Sequence, residues 1–182
     1  MNMQRNTGSR MDAMTGLAHH DTRAIAGTGT LAGLTGGLAE VLWIWAYGSL
    51  GHADSASVAR GVSRAVGMET LADPVVLGIA VHMTLAAALG IALAFAMQPL
   101  LARWGRGRLV TYAAMIAALA MVWAVNFLVI LPVLSPDFVG LVPYEVSFLS
   151  KILFGVSAAA VLGIRPAKMR YVQNTKATRH VK

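Results

Sequence analysis

Four long apolar stretches, residues 24–50, 75–101, 109–134 and 144–164, constrain this chain more than any other feature. The hydrocarbon core of a bilayer takes about 20 consecutive apolar residues as helix. Each stretch reaches that length, and the first three exceed it enough to imply tilt or extra turns beyond the hydrocarbon. Hydrophobic residues make up 57% of the 182 residues and charged residues 13%, against roughly 45–50% and about 25% in a soluble domain. A water-soluble domain of this size has no interior large enough for so much apolar surface. Cysteine is absent, so disulfide scaffolds, thiolate metal sites and Cys nucleophiles are excluded.

Charge sets the orientation, because Lys and Arg accumulate in cytoplasmic loops. Arg5, Arg10 and Arg23 precede the first stretch, Arg103, Arg106 and Arg108 separate the second from the third, and six more basic residues follow the fourth. Only Arg60 and Arg64 lie in the other connections, beside Asp54, Glu69, Asp73 and Asp137. Both termini are therefore expected in the cytoplasm of a bacterial inner membrane. The net charge of +7 reads as this topology signal, with attraction to anionic lipid heads as a secondary effect. No aromatic-interleaved basic motif suggests nucleic acid. The first stretch is too long for the 7–15-residue core of a signal peptide, and Glu40 interrupts it, so it reads as a retained anchor.

The predicted fold is an all-α integral membrane protein, a four-transmembrane-helix bundle, N-in and C-in. Residues 1–22 form a flexible polar segment, residues 23–165 the membrane domain and residues 166–182 a basic cytoplasmic tail. In the first outer loop Val58, Val62, Ala65 and Val66 recur at helical spacing behind Asp54 or Ser55 as N-cap, which predicts a short amphipathic helix. Lying on the membrane surface is the preferred placement, and a lid over the outer mouth of the bundle is the alternative. Leu38–Val41 resembles Leu119–Val122, each ahead of a Trp, a weak sign of a duplicated hairpin.

Ionisable groups in a span cost about 2.5–3.5 kcal/mol or more, yet every stretch carries a strongly polar residue: Glu40, His82, Asn126 and Lys151. At ~1.5 Å rise per residue, all fall in the outer half of the bilayer at closely matching depth. Gly29, Gly33, Gly36, Trp43 and Tyr47 share the face of Glu40; Gly78, Ala86 and Gly90 that of His82; Ser147, Gly155 and Ala159 that of Lys151. Small residues at such spacing let helix backbones approach closely, so these polar groups are expected to point into the bundle. Glu40 and Lys151 can pair, and His82 can bridge a carboxylate to Asn126. Trp43, Tyr47, Trp123, Glu145 and Ser147 form a secondary set, with Trp43 and Tyr47 toward the outer boundary and Glu145 nearer the outer end of the fourth stretch. Trp and Tyr there also suit the membrane–water interface, and Glu145 suits a helix N-terminus.

Three functional readings follow. In the first, the cluster organises a small non-enzymatic polytopic protein, an accessory subunit or a homo-oligomer, whose partners are the bilayer and another membrane protein or a second copy. In the second, Glu40, His82 and Lys151 form the path of a compact transporter or proton-conducting unit. The third is a membrane redox or enzyme subunit. No cofactor is expected: Lys151 would repel a cation, metal sites want three or more ligands, and a haem held by two histidines lacks a second intramembrane His. His52 would need an unusual tilt to reach the level of His82. His19, His20 and Asp21 read as a solvated segment. There is no His-Glu-x-x-His helix, Gly-x-Ser-x-Gly elbow or phosphate loop, and no span carries an aspartate.

Overall fold

The computed structural model describes residues 22–163 apart from 52, 53, 69, 71, 72, 105 and 106, and of residues 5–21 and 164–179 only the helical backbone. Among the described residues the chain is all helical. Its elements are α1 (Arg5–Ser49), α2 (Ser55–Ala65), α3 (Pro74–Trp104), α4 (Arg108–Val125), a π-turn (Asn126–Ile130), α5 (Leu131–Leu134), α6 (Pro136–Val139) and α7 (Tyr144–Arg179). Four segments are long and apolar enough to cross a membrane: Thr22–Ser49, Pro74–Trp104, Arg108–Leu134 and Tyr144–Gly163. The expectations for the N-terminal segment, for His19, His20, Asp21 and His52, and for the basic tail lie outside the described residues.

Local chemistry sets the helix boundaries. Asp73 Oδ1 accepts the backbone N–H groups of Val75 and Val76 at 2.9 and 3.2 Å, and Pro74 opens α3 where no N–H is needed. Asp54 caps α2 by accepting Ala56 N–H at 3.0 Å. Gly67 ends α2 at a φ of 69°, where a side chain would be strained, and its N–H returns to Arg64 O at 2.9 Å.

The third apolar stretch departs from a continuous helix. After Val125 the ladder widens, and Leu131 N–H bonds Asn126 O, five residues back. The next residue, Pro132, has no N–H to give and its ring crowds the preceding turn. The π-turn absorbs that conflict without leaving the helical path. The inserted register re-aims the residues at its start, Asn126 and Phe127.

Helices α3 and α7 flank α1, and α4 packs against α7, while α3 and α4 touch little. The α1–α3 seam is backbone on backbone. A Cβ at Gly29 would lie 2.7 Å from Ile91 Cα, and one at Gly33 would fall on the Ala86 carbonyl. Gly36 leaves room for the Phe154 ring, which a Cβ there would meet at 2.5 Å. Gly155 opens the α4–α7 crossing, where a Cβ would lie 3.3 Å from Ile116 Cα. Glycine at these crossings is what allows helices to approach this closely.

The apolar core fills the half of the bundle remote from α2. Met115, Leu119, Phe154, Ala158 and Ala159 are fully enclosed there, with Leu93 and Met97 beside them. The opposite half, the α2 end, carries the polar groups and an opening.

Candidate functional site

Glu40, Lys151 and His82 converge from α1, α7 and α3. Lys151 Nζ donates to Glu40 Oε1 at 2.5 Å. Ser150 Oγ lies 3.0 Å from the same oxygen and 2.7 Å from Ser147 O, so its one proton serves either acceptor. His82 Nε2 stands 3.5 Å from Glu40 Oε2, too far and poorly placed for a hydrogen bond. Glu40 is 2% exposed. A carboxylate so enclosed requires a compensating cation, and Lys151 supplies it.

The four polar span residues thus meet in part. Glu40, His82 and Lys151 are in contact. Asn126 lines the same cavity but makes no hydrogen bond to them, so the bridge from His82 to Asn126 expected from the sequence is not formed. Both residues line the cavity, His82 from α3 and Asn126 from the π-turn.

The secondary set divides. Trp43 Nε1 donates to Val146 O at 3.1 Å, tying α1 to α7. Trp123 Nε1 donates to Ser147 Oγ at 3.0 Å, and that hydroxyl donates to Tyr144 O at 2.9 Å. Trp123 also meets Phe148 edge-on with centroids 5.0 Å apart and stacks on Phe127 at 5.9 Å. Tyr47 is half-buried on α1, and Glu145 is exposed in the first turn of α7, outside the cavity lining. Ser150 was not singled out from the sequence. The signal was present: it precedes Lys151 and follows Ser147 by one helical turn, which puts it on the same face.

Above this centre lies a cavity of about 560 Å³, within the roughly 300–1,000 Å³ of small-molecule sites. Glu40, His82, Ser150 and Lys151 form its floor. Its walls are apolar: Val41 and Ile44 from α1, Val75 and Ile79 from α3, Phe127 and Leu131 from the π-turn and α5. Val58, Ala59, Val62 and Ala65 of α2 form the roof.

That roof is wedged in place. A Cβ at Gly78 of α3 would fall on the Ala59 carbonyl, and one at Gly61 would lie 2.6 Å from Leu141 and 2.8 Å from Phe138. The apolar face of α2 therefore lines the cavity. Gly78, aligned with His82, is the residue that permits it. Asp54 anchors the start of α2: Ser57 Oγ donates to Asp54 Oδ2 at 2.5 Å and Arg60 Nη2 donates to the same oxygen at 2.7 Å. The Ser57 hydrogen bond above all, aided by Ala56 N–H and the Arg60 charge, holds the Asp54 carboxyl below its ordinary value of 3.8.

Among the described residues no group of three or more His, Cys, Asp or Glu is placed to hold a metal ion. No known protein family, curated protein or solved structure matches the chain. What fold and site define is a class: a multi-pass helical membrane protein.

Proposed function

We propose that the chain is a small, non-enzymatic polytopic protein of a bacterial inner membrane, with both termini cytoplasmic, that holds a small molecule in the outer half of the bilayer above the Glu40–Lys151–His82 centre. One observation carries this reading: the polar centre is the floor of a roofed cavity of about 560 Å³. A clasp that only fixed helix register would need no empty volume beside it, because unfilled space forfeits packing contacts. Binding with access from one side fits the geometry better than proton conduction. Met115, Leu119 and Phe154 are fully enclosed beneath the floor, so the polar path ends there in this conformation.

An accessory or homo-oligomeric role is a second reading, favoured by one feature. Leu31, Leu34, Leu38, Leu42 and Trp45 form an exposed ridge along α1, at the spacing by which one helix presents a seam to another.

Single-cysteine variants test the binding reading, since the native chain has no cysteine. In proteoliposomes, cysteines at the cavity-lining Val62 and Leu131 are expected to react with a small maleimide, and one at the packed Ala158 is not. If Val62→Cys and Leu131→Cys are as inert as Ala158→Cys in the folded protein, the cavity is closed and the binding reading fails.

A further inference from the structure

The cavity has a sideways opening as well as a roof. Leu85 of α3 lines it and is at the same time 58% exposed on the flank of the bundle. Ile79, 40% exposed, and Leu134, 72% exposed, do the same nearer the α2 end. Leu85 lies eleven residues into α3, which starts at Pro74, or about 16 Å along the axis at 1.5 Å per residue. In a span, that depth is hydrocarbon. The sparse contact between α3 and α4 leaves the gap through which the cavity reaches it.

The floor presents donors. The Glu40 side chain is 3% exposed and already paired with Lys151, so it offers the cavity little free acceptor. His82 Nε2 is buried. Lys151 spends one of its N–H groups on Glu40 and has others free, since an ammonium carries three donors. Asn126, at the mouth of the π-turn, has an amide with no hydrogen-bond partner among the described residues.

Resting on the binding reading above, we infer that the cavity takes a single-chain amphiphile from within the bilayer, its head a hydrogen-bond acceptor, carbonyl or carboxylate, and its chain leaving past Leu85. The head meets the free N–H groups of Lys151 and Asn126. The chain replaces lipid contacts with those of Phe127, Leu131 and Ile79. An ammonium head is disfavoured because it would meet the Lys151 charge while the Glu40 carboxylate is already engaged by Lys151 and Ser150. Lateral admission requires no opening of α2.

The full chain in lipid nanodiscs, given a diazirine-bearing palmitate and illuminated, tests this. Labelling is expected to concentrate on peptides carrying Ile79, Leu85, Phe127 and Leu131, above the level on the exposed ridge Leu31–Leu42. Unlabelled palmitate or methyl palmitate should lower cavity labelling by about tenfold at a concentration about ten times its Kd, and hexadecylamine should not. Leu85→Trp should remove cavity labelling and leave ridge labelling intact. Equal competition by hexadecylamine, or labelling spread in proportion to lipid exposure, overturns the inference. If the amphiphile fails to label the cavity while Val62→Cys still reacts with maleimide, this inference falls and the binding reading stands. If both fail, both fall.

Discussion

Lys151 reaches across from α7 to donate to Glu40 Oε1 on α1 at 2.5 Å, and the seam that lets it do so is made one turn deeper, where Phe154 lies against Gly36. The ion pair and the aromatic contact are successive layers of one interface. Removing either partner of the pair leaves an uncompensated charge in a low-dielectric interior.

Glu40→Gln and Lys151→Met are each expected to destabilise the folded protein by about 3–5 kcal/mol, read as unfolding in mixed detergent micelles. The double variant should recover most of that loss. Additive losses would show that the two residues act separately.

Glycine position decides the sign of a glycine substitution. Gly27 has nothing within 4 Å of a built Cβ, so Gly27→Ala should stabilise by up to about 1 kcal/mol through helix propensity. At Gly33 a Cβ falls on the Ala86 carbonyl, so Gly33→Val should destabilise by about 1–3 kcal/mol. Thermal melts of the two variants side by side check this, and equal shifts would contradict the α1–α3 seam.

The α2 roof depends on the absence of a side chain at Gly78. Gly78→Leu should lift α2 from α3 and raise the rate of maleimide modification at Val62→Cys, with the melting temperature of the four long helices changed little. A roof that stays shut would mean that α2 is held chiefly from the α6 side.

Asp54 ties the α2 roof to pH. Its folded-state carboxyl sits below the ordinary 3.8, with the Ser57 hydrogen bond the leading cause. A depressed carboxyl contributes stability that is fully present above the unfolded value and lost as pH falls through the folded one. The start of α2 should therefore hold at neutral pH and loosen only below 3.8, seen as lost protection against hydrogen exchange at Ala56 and Ser57 relative to the intrinsic rate at each pH. Asp54→Ala should show that loss of protection already at neutral pH.

Pro132→Ala restores a backbone donor and should let the third apolar helix run in α register. Asn126 would then turn away from the cavity, and labelling by the acyl diazirine should fall while the melting temperature holds or rises. Unchanged labelling would show that Asn126 is not part of the head-group site.

Much of this was legible in the chain because bilayer arithmetic is blunt. Long apolar runs had to be helices, and Glu40, His82 and Lys151 at matched depth on small-residue faces had to find each other. The arrangement of Asn126 was not legible, because Pro132 can kink, break or widen a helix, and the residue pattern before it does not say which. Nor was the roof: Gly78 looked like a seam between spans, and nothing in the period of Val58 and Val62 says whether a membrane or a cavity receives them. Ser150 was hidden by being an ordinary serine in a helix until Glu40 was placed opposite.

Backbone contact between α1 and α3 has a mechanical consequence. With no side chains interposed at Gly29 and Gly33, there is nothing to repack, and this flank can move only as a stiff plate. Compliance must reside on the other flank, in the π-turn and the short helices after it, whose widened ladder can shift register at little cost. Any breathing of the molecule is thus hinged asymmetrically, one wall flexing against a wall that does not.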